Sequence, residues 1–133
     1  MVIAQELKEV DWETFRSDPE VKRNIWHVKL WAEGLLGACY ARLGMRTEAL
    51  AQVAVLESMR PGDPRRMNRM FKGEVPYYQA RIYAILGENE LAVQALQQSM
   101  DEGRISEHGA LVHDWDLAGL REYQPYLELI GLK

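Results

Sequence analysis

The chain has 133 residues, a formal net charge of -4, 47% hydrophobic and 27% charged positions, 10 glycines, 5 prolines and one cysteine. This balance excludes an intrinsically disordered chain, a collagen-like fibre and a disulfide-stapled scaffold. One domain is expected, long enough to bury roughly two thirds of the surface its unfolded form exposes.

The longest charge-free apolar run, 34–41, is far below the ~20 residues that span a bilayer. The N-terminus shows no basic flank followed by an apolar run, and a lone Cys39 suits a reducing compartment. A cytoplasmic location is therefore expected. Charge is uneven: residues 1–20 hold six acids against two bases, and 101–133 hold seven against three. Between them Arg60, Arg65, Arg66, Arg69 and Lys72 face Asp63 alone. Such a waist reads as a solvated connector or as a contact for an acidic surface. Phosphate or nucleic acid is the weaker alternative, because the whole chain is acidic.

In chain order, Ser17 and Asp18 stand ahead of Pro19 as an N-cap followed by proline in the first helical turn. Ile25, Val28, Ala32, Leu35, Leu36, Cys39 and Leu43 then recur at three- and four-residue steps, predicting a helix with these residues along one side. Gly44 stops it, its missing Cβ permitting a left-handed C-cap. After a short turn Ala49, Leu50, Val53 and Leu56 mark a second helix, ended by Pro61-Gly62-Asp63-Pro64. A third helix carries Tyr78, Ile82, Tyr83 and Leu86 and closes at Gly87. A fourth carries Leu91, Ala92, Ala95, Leu96, Ser99 and Met100 and closes near Gly103. Residues 104–116 look irregular. The tail reads as a short helical turn and, from Pro125, a last helix bearing Leu127 and Ile130. Strand signals are nearly absent, so the fold class is all-α with five or six helices. The organisation is an N-terminal cap (1–18), a first hairpin (19–63), a basic connector (64–73), a second hairpin (74–103) and a C-terminal cap (104–133).

The hairpins share a pattern. Gly37, Tyr40, Leu43-Gly44, Ala49 and Val53 correspond to Ala80, Tyr83, Leu86-Gly87, Ala92 and Leu96 at an offset of 43, and Pro61 closes the first. The pattern resembles the tetratricopeptide repeat, a helix–turn–helix unit of about 34 residues, most of all in YYQARIYAILGENELAVQAL. The resemblance implies about two degenerate repeats stacked as a right-handed superhelix, with N- and C-terminal capping helices. Gly37 and Ala80 would let helices approach, Tyr40 and Tyr83 would fill the space between neighbours, and Ala49 and Ala92 would sit where the helices of a hairpin cross. Departures are Glu33 and Pro76 at the family's usual aromatic position and Arg104 in place of the second closing proline. The tail WDLAGLREYQPYLELIGLK resembles the ending of C-terminal repeat domains in bacterial regulatory and signalling proteins. Asp11-Trp12, Phe15-Arg16 and Ser17-Asp18-Pro19 echo it. That resemblance implies short turns tucking an aromatic under each hairpin, and a place as a module of a longer protein.

No catalytic constellation is present. Gly-rich phosphate loops are missing, Cys39 reads as a small hydrophobe and His27 as an interface histidine. His108 and His113 with Asp114 and Asp116 form the one ligand-type cluster, without the cysteine or third histidine a metal site wants. The expectation is a non-enzyme without cofactor or metal. The family resemblance implies instead a peptide-binding groove lined by Trp31, Gly34, Ala38 and Arg42 from one hairpin and Tyr77, Tyr78, Arg81 and Ile85 from the other. Its partner would be a protein or peptide. Two alternatives stay open: Trp31 and the tyrosines pack against the caps, or the apolar face binds a second copy as a homodimer.

Overall fold

In a computed structural model of the protein, residues 19–60, 72–104 and 113–131 are described, 19–24 by backbone alone. The elements are α1 (Pro19–Arg42), α2 (Arg46–Ser58), α3 (Glu74–Leu86), α4 (Asn89–Asp101), a 3-10 helix (Trp115–Leu120) and α5 (Gln124–Leu129). No strand occurs among the described residues, whose regular structure is all helical, as expected. The 1–18 segment, Pro61, the connector arginines Arg65, Arg66 and Arg69, and His108 lie outside the described residues.

Glycine sets the ends of α1 and α3. The Gly44 N–H donates to the Ala41 carbonyl (3.1 Å) and the Met45 N–H to that of Tyr40 (2.9 Å). At the equivalent place Gly87 donates to Ala84 (3.1 Å) and Glu88 to Tyr83 (2.9 Å). This paired closure needs a left-handed residue, and Gly44 and Gly87 supply it at φ 74° and 81°. Met45 (φ -85°, ψ 72°) and Glu88 (φ -82°, ψ 70°) then open α2 and α4 in the same conformation. The sequence repeat is thus also a repeat of turn geometry.

The two apolar cores share α3. One core gathers Leu30 and Ala41 of α1, Ala49, Val53 and Leu56 of α2, and Val75 and Ile82 of α3. The other joins Tyr77, Ala80 and Ala84 of α3 to Ala92, Ala95 and Leu96 of α4 and to Leu117, Leu120, Tyr126 and Ile130 of the tail. Close approach is possible where α1 has no side chain. A Cβ on Gly37 would come within 2.4 Å of Ile82 Cδ1, and one on Gly34 within 2.7 Å of Tyr78 Cδ1.

The buried line of α1 therefore differs from the apolar stripe expected from sequence. Ala32 and Leu36 of that stripe are buried, but so are Leu30, Gly34, Gly37 and Ala41 outside it, whereas Val28, Leu35 and Leu43 are exposed. The physical reason is that α1 is apolar on more than one face, and the face with the smallest residues lets a neighbouring backbone come closest. Polar pairs lock the interfaces. Buried Gln52 donates to the Glu33 carboxylate (2.5 Å) and carbonyl (3.2 Å), and Gln79 to the Val53 carbonyl (3.1 Å) and Glu57 (2.9 Å). Ion pairs Arg46–Glu88 and Arg60–Glu102 join the starts and the ends of α2 and α4, so these helices run parallel.

Glycine substitutions should separate backbone strain from crowding. No heavy atom lies near a Cβ built on Gly44 or Gly87, so Gly44→Ala and Gly87→Ala should each lower stability by the left-handed strain alone, about 1 kcal/mol. Gly73 has φ 73° and its Cβ would meet the Ser99 carbonyl oxygen at 2.3 Å, so Gly73→Ala should cost clearly more. Urea unfolding of the three variants checks this order.

Candidate functional site

The outward faces of α1 and α3 lie side by side. Trp31, Leu35, Ala38 and Arg42 recur at steps of four, three and four residues, and Tyr78, Arg81 and Ile85 at three and four, so each set shares one helix face. The faces adjoin because the Tyr78 ring lies over Gly34. Trp31 is 46% exposed, and Val28 and Leu35 beside it are each 37% exposed, a continuous apolar stripe on α1.

The chain's own tail lies against one end of these faces. Leu117 and Leu120 anchor the 3-10 helix in the second core, which brings the preceding aspartates over α3. The Asp114 side chain caps that helix by accepting from the Asp116 N–H (2.9 Å), and its other oxygen accepts from the Tyr77 hydroxyl (2.5 Å). One oxygen of Asp116 accepts from Arg81 Nε (2.8 Å) and pairs with its Nη2 (2.6 Å), while the other accepts from Arg42. A single carboxylate is thus shared by an arginine from each hairpin. Arg104, just beyond α4, pairs with Glu74 (2.8 Å) and stacks over the Tyr77 ring, 3.8 Å from its centroid. His27 Nδ1 lies 3.8 Å from the other oxygen of Glu74. A cavity of about 520 Å³ opens here between Tyr77, Arg81, Arg104, His113 and the Asp114-Trp115-Asp116 corner, with Trp115 78% exposed on its rim.

The electrostatics follow from burial. Burial pushes the Tyr77 hydroxyl well above the ordinary tyrosine range, and the hydrogen bond to Asp114 adds to this. Burial, with the Glu74 carboxylate nearby, pushes Tyr78 up to about 12. For Arg81, burial alone would favour the neutral form; Asp114 and Asp116 more than offset it and hold the guanidinium charged. The exposures of the charged partners are unequal. Side chains of Asp114, Asp116 and Glu74 are 13%, 11% and 11% exposed, against 53% for Arg42 and 30% each for Arg81 and Arg104. The carboxylates are largely covered, Arg81 and Arg104 are half-buried, and Arg42 is exposed.

Of the eight groove residues that the resemblance implied, Trp31 and Arg42 are exposed, Tyr78, Arg81 and Ile85 are half-buried, and Gly34 and Ala38 are buried. Tyr77 is buried beneath the tail. Arg81 joins them only as a member of the Asp114–Asp116 network, a role the sequence reading did not assign. Among the packing residues, Gly37, Ala49, Ala80 and Ala92 are buried, and Tyr40 and Tyr83 are half-buried against the first core. Asp114 and Asp116, weighed as metal ligands, instead serve the arginines and Tyr77. Among the described residues no group of three or more His, Cys, Asp or Glu could hold a metal ion. Cys39 is half-buried. Arg104 went unrecognised as a site residue because its signal, a base beyond a Gly103 helix end, is common to many solvated termini. A second opening of about 540 Å³, between α2 and α4, is lined by Leu50, Val53, Leu91, Ala95 and Gln79. No helix among the described residues is long and apolar enough to cross a membrane. Comparison with known protein families, curated proteins and solved structures finds no match to the chain.

The network should carry stability as well as shape. Arg81→Glu sets a third carboxylate against Asp114 and Asp116 and should lower the unfolding free energy by about 3 kcal/mol in urea titrations. Arg42→Ala, which removes the more exposed arginine, should cost less than about 1 kcal/mol.

Alkaline stability should report on the tyrosines. Tyr78 ionises at 10.0 when unfolded and at about 12 when folded, so the folded state retains its proton longer. Its contribution is complete below pH 10 and is lost as pH rises from about 10 to about 12, with Tyr77 acting in the same direction. Tyrosinate absorbance should show both groups titrating late and together with loss of helicity. Early titration of either would contradict the burial assigned to it.

Proposed function

We propose that the protein is a non-catalytic, tetratricopeptide-like scaffold that binds a protein or peptide partner in the groove between α1 and α3. It would act as a module of a regulatory protein, as the tail resemblance suggests, and in the cytoplasm, as the lone cysteine suggests, without cofactor. The repeat reading is supported by hairpin turns of the same conformation at matching positions. The fully buried Ala49, Ala80 and Ala92 and the close seat of Ile82 on Gly37 add to that support. The binding reading rests on one observation: Val28, Trp31 and Leu35 leave large apolar side chains in water along one helix face. Surfaces of this kind mark interaction sites, and tryptophan is the residue type most often found at their energetic centre.

Selection from a random peptide library on the immobilised protein tests this. Selected peptides should lose at least about tenfold in affinity with Trp31→Ala. An empty selection, or binding indifferent to Trp31→Ala, would remove the reading.

A second reading is self-association. The stripe runs at steps of three and four residues, the spacing by which helices pair side by side. Light scattering across a concentration series separates the two. A constant mass of 15.3 kDa is expected of the scaffold, and a concentration-dependent doubling of the self-association module.

A further inference from the structure

We propose that the opening between α2 and α4 is a binding site for a small organic cation, an ammonium group carried on an apolar body. The scaffold reading neither requires this site nor depends on it.

The opening has a volume of about 540 Å³, within the ~300–1,000 Å³ typical of small-molecule sites. Leu50 and Ala54 of α2 line one side and Leu91 and Gln94 of α4 the other. Between them Val53 and Ala95 are buried and Tyr83 is half-buried. Leu50 and Leu91 are 36% and 40% exposed, so apolar surface is open to a ligand. The ion pairs Arg46–Glu88 and Arg60–Glu102 bridge α2 and α4 at the two ends. An extended peptide running along the opening would have to break one of them, whereas a small molecule lies between them.

Charge selects a cation. Glu57 is the one charged side chain among the described residues that line the opening. The buried Gln79 amide donates to one of its oxygens (2.9 Å) and to the Val53 carbonyl (3.1 Å), which fixes the carboxylate where both helices end. Arg60 pairs with the other oxygen (2.8 Å), but the same guanidinium also serves Glu102, so one positive charge answers two negative ones. Hydrogen bonds from Gln79 and then Arg60 hold the Glu57 carboxyl below its ordinary value, which keeps it charged. The Glu57 side chain is 57% exposed, so lone pairs remain within reach of a ligand. Because α2 and α4 run parallel, the carbonyl ends of both add partial negative charge at this end. The Tyr83 hydroxyl registers that field: burial first, and then Glu57 and Glu88, raise it above its ordinary value.

Geometry sets the size of the ligand. Leu50 and Glu57 are seven residues apart, about 10 Å along α2, so the apolar body should reach about that far from the ammonium group.

The test titrates the whole chain, labelled with ¹⁵N, with n-octylammonium and follows the backbone amide shifts. Octanoate and ethylammonium are the controls for charge and for the apolar body. Octylammonium should shift amides in α2, α3 and α4 around the opening with a single dissociation constant. It should bind at least about tenfold more tightly than octanoate or ethylammonium. Ala54→Trp, which fills the mouth from an exposed position, should abolish the saturable shifts. Glu57→Gln should weaken binding severalfold and flatten its salt dependence, with helicity by circular dichroism retained in both variants. Octanoate binding as tightly as octylammonium, saturation untouched by Ala54→Trp, shifts confined to α1, or no saturable shift at all would each overturn the proposal. In every one of these cases the scaffold reading stands, because the peptide selection probes a different face.

Discussion

Side chains of α3 enter both apolar cores, and they can do so because α1 offers glycine at the points of contact. Ile82 fills the space beside Gly37 and Tyr78 that beside Gly34, at distances no Cβ would allow. Dispersion contacts fall off steeply with separation, so a methyl-sized wedge at either point would weaken the whole α1–α3 interface. Everything at the site depends on that approach. It sets Trp31 and Arg42 beside Tyr78 and Arg81, and it lets one aspartate of the tail reach arginines from both hairpins.

That shared carboxylate links packing to recognition. The tail is held by apolar anchors, Leu117, Leu120 and Tyr126, and oriented by charge through Asp114 and Asp116. Ion pairs at partly buried positions contribute to specificity of geometry more than to net stability, because desolvation offsets much of the attraction. Here they fix the arginines in place: Asp116 spans Arg81 and Arg42, one from each hairpin.

The hairpins are alike in their turns and unlike in their interiors. In the first, buried Glu33 and Gln52 meet across the helix pair; the corresponding positions of the second are Pro76 and Ala95, both buried and without polar side chains. A buried polar pair is satisfied in one register only, whereas an apolar pair tolerates small shifts. The first hairpin is therefore pinned by polar geometry. The second relies on the tail that packs over it and on the seat of Gly73 against Ser99, whose hydroxyl donates to the Gly73 carbonyl (2.6 Å).

The helices, their glycine ends and the repeat offset were legible in the sequence, because capping glycines and three- and four-residue apolar steps act locally, within a turn of backbone. The grouping of Trp31 with Arg42 and of Tyr78 with Arg81 was implied by the family resemblance. Which face of α1 turns inward was legible only in part: Ala32 and Leu36 are buried as expected, Val28, Leu35 and Leu43 are not. Its apolar residues nearly encircle the helix, and the choice fell to close contact through Gly34 and Gly37, a property of two surfaces together. Nor could the sequence place Asp114 and Asp116 on Tyr77, Arg81 and Arg42, at separations of 35 to 74 residues. Charges that far apart in the chain meet only once hydrophobic packing has brought their helices together, so the local chain determined the elements and the tertiary structure decided the site.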